Sequence, residues 1–82
     1  MTVGLPSAVQ IIMAWRVNKW IVERNAMEVG RYAYRGHAMA RVRALAADAQ
    51  REGLECYLLI REKDGAWRER PCPGGHADEL DP

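Results

Sequence analysis

Between Gly36 and Gly53 lies a sixteen-residue segment, "HAMARVRALAADAQRE", with no glycine or proline in it, and no other feature constrains the fold as strongly. It is rich in Ala, Arg, Leu and Met, all good helix formers. Ala38, Val42, Leu45 and Ala49, with Met39 and Ala46, fall along one stripe at helical spacing. The spacing predicts a helix over 37–52, capped by Gly53, which reaches the left-handed conformation cheaply. No Ser, Thr, Asp or Asn stands at its entry, so its start is marked less sharply than its end. An apolar helical stripe has to be buried against another layer. The rest of the chain says what that layer is.

Upstream of the helix the pattern has the two-residue period of strands. Trp15 and Val17 share one parity and Trp20 and Val22 the other, with Asn18-Lys19 at the change of phase, as in two short strands joined by a tight turn. The segment 25–28 reads as a second turn. Tyr32 and Tyr34 then alternate with Arg31, Ala33 and Arg35 in a further strand, and the two tyrosines are read as facing the helix. Downstream, Tyr57-Leu58-Leu59-Ile60 carries apolar groups on both parities and suits an inner strand. Asp64-Gly65 supplies a hairpin turn that brings 66–70 back beside it. The expected class is α+β, a small, mostly antiparallel sheet of four to five strands in the order β-β-β-α-β-β with one helix on one face. Residues 1–12, with Gly4, Pro6 and Ser7, read as an N-terminal arm or edge strand, and Met13 as a candidate internal start. Residues 13–70 are expected to form the single domain and 71–82 a flexible acidic tail.

Eighty-two residues support one core, because a chain this short hides only about 60% of its unfolded surface. A composition 49% hydrophobic and 28% charged is that of a folded chain. The net charge is +1, but residues 1–70 hold all twelve Lys and Arg and eight of the eleven Asp and Glu, so the body carries +4. Cys56 and Cys72 could pair, yet two cysteines so placed are as easily thiols, and free thiols are expected. The apolar run from Ala8 to Trp15 is broken by Gln10, follows no basic residue and is far shorter than a membrane span. A cytoplasmic protein with no membrane partner is expected.

The early Trp20-x-Val22, the Ala-rich "HAMARVRALAADAQREG" and "ECYLLIREKDGAWRER" together resemble the small bacterial and phage family catalogued as domain of unknown function 2188, over about residues 15–70. The resemblance implies an architecture and supplies no activity. The family pattern has a polar helix entry where this chain has Gly36-His37.

Signs of catalysis are few. Cys72 and His76 stand close enough to share a metal, but a structural zinc site needs four ligands, usually in two close pairs, and no metal or cofactor is expected. A Cys56 or Cys72 nucleophile with His37 as base would need a tertiary contact that spacing does not demand. No phosphate loop, Gly-x-Ser-x-Gly, His-Glu-x-x-His or dinucleotide fingerprint is present, so neither catalytic residues nor a small-molecule substrate are assigned and the chain is read as no enzyme.

Two binding readings remain. One helix leaves a sheet face and two edges uncovered, and Trp67 with Arg61, Arg68 and Arg70 has the aromatic-plus-arginine composition of interface hot spots. That favours a protein-binding or oligomerising module, a regulator or inhibitor such as a phage-encoded antagonist of a host system, with 66–70 as a contact edge. The alternative is nucleic-acid binding through Arg31, Arg35, Arg41 and Arg43 with nearby aromatics. Against it, Arg41 and Arg43 lie about 200° apart on a helix.

Overall fold

A computed structural model of the chain describes residues 8–73. It has five strands and one helix: β1 (Ala8–Arg16), β2 (Lys19–Arg24), β3 (Met27–Tyr32), α1 (Arg35–Arg51), β4 (Glu55–Arg61) and β5 (Trp67–Pro71). The fold is α+β and its β-β-β-α-β-β order is the one read from the sequence. The strands form one open sheet in the order β3-β2-β1-β4-β5. Neighbours are antiparallel except β1 and β4, which run parallel. A parallel neighbour requires a crossover rather than a hairpin, and α1 is that crossover.

The alternation of β1 explains why it takes the middle of the sheet. Val9, Ile11 and Met13 are buried on the face toward α1, with Trp20 and Val22 of β2 on one side and Leu58 and Ile60 of β4 on the other. Against them α1 lays Ala38, Val42, Leu45, Ala46 and Ala49, all buried. Three of these five are alanines, so the helix backbone sits close to the sheet. Residues 8–12, expected in an arm or edge strand, are therefore the first half of the central strand; residues 1–7 lie outside the described part. Of the apolar run at 58–60, Leu58 and Ile60 are in the core, while Leu59 points to the other face.

The helix entry and the strand before it also differ from expectation. β3 ends at Tyr32, which packs against the core, while Tyr34 is 68% exposed and is the helix N-cap, with no side-chain cap bond. Arg35 is the first helical residue, not a strand residue. At the other end Gly53 (φ 74°) donates to the Gln50 carbonyl, and Leu54 donates to the Ala49 carbonyl at 2.9 Å. This satisfies the last carbonyls of α1 and tucks Leu54 against the core.

Cys56 and Cys72 form a disulfide, with Cα atoms 5.9 Å apart, which overturns the expectation of free thiols. The reason is register: β4 and β5 pair Tyr57 with Pro71, so the next pair outward is Cys56 with Cys72. Pro71 and Cys72, assigned to a tail, are the end of β5 and its covalent anchor. Residues 74–82 lie outside the described part. No helix among the described residues is long and apolar enough to cross a membrane.

The first two hairpins turn on Val17-Asn18 (φ 50° and 63°) and Asn25-Ala26 (φ 51° and 70°). Both central residues are left-handed, as in the turns whose twist matches paired strands. Asn25 suits this role, and its Oδ1 accepts from the Gln10 N–H at 2.9 Å. Val17 does not: a β-branched residue at positive φ is strained, and its side chain is 91% exposed, so no packing offsets the strain. Val17→Asn is expected to stabilise the fold by about 1 kcal/mol, read as a higher urea midpoint at unchanged slope.

Candidate contact surface

The β4–β5 turn sets the geometry of the surface singled out in the sequence. Gly65 (φ 86°) donates to the Glu62 carbonyl at 2.9 Å, Glu62 donates to the Ala66 carbonyl at 3.0 Å, and Asp64 Oδ1 accepts from the Ala66 N–H at 2.9 Å. The loop is thus three residues, 63–65, and Arg61 stands opposite Trp67. Trp67 is half exposed. It shares a face with Ala14, which pairs with Arg61, and this is the face opposite α1.

Alternation divides the four residues of the protein-contact prediction. Trp67 and Arg61 lie on the uncovered face. Arg68 and Arg70 pair with Ile60 and Leu58, so they project on the helix side of the sheet, at its exposed border. Arg61 is anchored: its Nη1 donates to the Trp15 carbonyl at 3.1 Å, which lies beyond the last β1–β4 pair. The Glu62–Ala66 bond also fixes which backbone groups face outward. They belong to Trp67, Glu69 and Pro71, and Pro71 has no N–H to offer. The free edge is short, charged and broken by proline, the usual protection against strand addition.

On the uncovered face the register arranges side chains in rows across the strands. One row reads Arg31, Ile21, Ala14, Arg61 and Trp67 from β3 to β5. The next reads Glu28, Glu23, Ile12, Leu59 and Glu69. Apolar groups thus occupy the middle, with cations in the first row and carboxylates in the second. Within one chain Arg31 grips Glu28 through two bonds, one of 3.2 Å from Nη2. That hydrogen bonding, with the guanidinium charge, holds the Glu28 carboxyl below its ordinary range and raises Arg31 further. The Tyr57 hydroxyl on the same face donates to Glu55 at 2.6 Å, and the bond to this carboxylate pushes the phenol above its ordinary value.

A second feature sits where the hairpin meets the start of α1. A cleft of about 500 Å³ lies among Trp20, Ala33, Tyr34, Arg35 and residues 62–64. Arg35 Nη2 donates to Glu62 at 3.0 Å and its guanidinium lies 5.6 Å from the centre of the Trp20 ring. Lys63 stands over Trp15 at 4.6 Å, and Trp15 meets Trp20 edge to face. Both cations are engaged within the chain, so this cluster pins the helix entry to the hairpin.

The nucleic-acid set is dispersed. Arg31 is on the uncovered sheet face in its pair with Glu28, and Arg35 is at the sheet end in its pair with Glu62. Arg41 and Arg43 are exposed on opposite flanks of α1. The sulfurs of Cys56 and Cys72 are bound to each other, which withdraws them as nucleophiles or metal ligands in the cross-linked chain; His76 lies outside the described residues. No family model matches the chain, and no curated protein or solved structure matches it either.

Proposed function

We propose that the chain is a small non-catalytic protein-binding or oligomerising module, a regulator or inhibitor such as a phage-encoded antagonist of a host system. Its contact surface is the uncovered sheet face around Trp67. The observation that carries this is the half-exposed indole opposite Arg61 on a sheet face that α1 does not cover. A large aromatic that contributes little to its own core is what an interface anchor requires. The protected β5 edge moves the contact from strand addition to the face itself. Arg68 and Arg70 project on the helix side and lie outside this surface. The resemblance to domain of unknown function 2188 adds an architecture to this proposal and no activity.

Trp67→Ala is expected to reduce capture of the partner from native lysate by at least about tenfold while shifting the melting temperature by no more than a few degrees. The paired measurement separates an anchor from a core residue. A variant that unfolds makes Trp67 structural, and one that stays folded with capture unchanged removes this face. Capture is to be repeated after nuclease treatment: binding lost with the nucleic acid supports the arginine-based alternative instead.

A further inference from the structure

We propose that the occupant of the uncovered face is a second copy of this chain, packed sheet to sheet about a two-fold axis; this rests on the contact reading above and names the partner. The face demands a second layer. Ile12, Ile21 and Leu59 stand on it, each only half-buried, around an Ala14 that is already fully covered by its neighbours. A second sheet is one layer that covers such a face, and among the described residues the single helix lies on the other side. The edges offer no alternative route to association. β5 is broken by Pro71, and β3 is irregular where its register with β2 shifts between Val22 and Glu23.

The charges select the partner and its orientation. A two-fold axis running across the strands, between the two rows, lays the cationic row of each copy over the acidic row of the other. Arg31 then meets the Glu28 of the second copy. An axis along β1 instead sets Glu28 over Glu69, acid on acid. The first arrangement thus sets Arg31 against Glu28 twice across the axis, and the second sets like charges, Glu28 and Glu69, against each other. Strand spacing and rise give a footprint of roughly 400 Å² for each copy. That is about half the area a stable specific interface buries and in the range of weak, transient ones, so the dimer exchanges with monomer as concentration changes.

Sedimentation equilibrium of the full chain from micromolar to millimolar concentration tests this. A concentration-dependent dimer is expected, weakened at least about tenfold by Leu59→Lys with unchanged circular dichroism. Ile21→Lys, on the neighbouring strand, serves if the first variant does not fold. Glu28→Lys, opposite Arg31 of the second copy, is expected to weaken the dimer; tightening would indicate the other axis, where this position meets Glu69, and overturn the arrangement. A dimer indifferent to both lysines in the apolar centre overturns the face. A chain that stays monomeric at millimolar concentration overturns the second copy as occupant. Persistence of Trp67-dependent capture alongside a monomer overturns the dimer alone and leaves the contact reading standing.

Discussion

A chain shortened to begin at Met13 is expected not to fold. The cut removes Val9 and Ile11, both essentially inaccessible in the core, and with them about 3 to 6 kcal/mol of apolar burial. It also removes the pairing of 8–12 with β4 on one side and of Ile11 and Ile12 with β2 on the other, leaving a gap between β2 and β4. A domain of this size has roughly 4 to 12 kcal/mol in total, so the loss is comparable with the whole. Ile11→Ala in the full chain is the graded control and is expected to cost about 2–5 kcal/mol. Circular dichroism and a denaturant titration of both proteins decide the matter. A shortened chain that melts cooperatively near the temperature of the full one would mean that 8–12 is the dispensable arm its sequence suggests.

That suggestion has an identifiable origin. Gly4, Pro6 and Ser7 weaken any strand reading just ahead of Ala8, and "AVQII" has apolar groups on both parities, so period alone does not place it. Only the tertiary arrangement does: the parallel β1–β4 pair joins residues 47 positions apart, as in Ala8 with Glu55, and no local signal encodes such a partner. Elements whose signals are local were legible. The α1 stripe, its Gly53 cap and the Asp64-Gly65 hairpin all lie where composition and spacing put them. The helix start was two residues off because Tyr34 caps it without a side-chain bond, leaving no capping residue to read. The Val17-Asn18 turn was displaced by one residue because valine is among the least expected residues at positive φ.

The surface residues were legible as a set and not as an arrangement. Trp67 stands opposite Arg61 because the loop has three residues; a two-residue loop on Asp64-Gly65 would set it opposite Glu62. Once that register holds, Arg68 and Arg70 go to the other face by alternation alone. The rows on the uncovered face depend on four strand registers at once, so Ile12, Ile21 and Leu59 gave no signal as surface residues: each is an ordinary strand hydrophobe. The same dependence on register hid the disulfide. A separation of sixteen positions between two cysteines is compatible with pairing and does not require it; the two positions become opposite only when the turn at 63–65 is fixed.

Reducing that disulfide is expected to destabilise the domain by about 3 kcal/mol, the loop-closure value for a loop of this length. For a domain of this size that corresponds to a fall in melting temperature of roughly 12 to 24 °C. The effect should concentrate at the sheet border. Every residue of β5 is exposed and α1 packs across β1 to β4, so β5 is held by its pairing with β4, its turn and the Cys56–Cys72 link. Amide exchange of β5 should therefore accelerate on reduction more than that of β1 or α1, whose protection rests on core burial. Cys56→Ala combined with Cys72→Ala removes the link without a reductant and should reproduce both changes, which excludes an effect of the reductant on anything else. A melting temperature and a β5 exchange rate unmoved by both treatments would show that pairing and the Asp64-Gly65 turn hold this strand unaided.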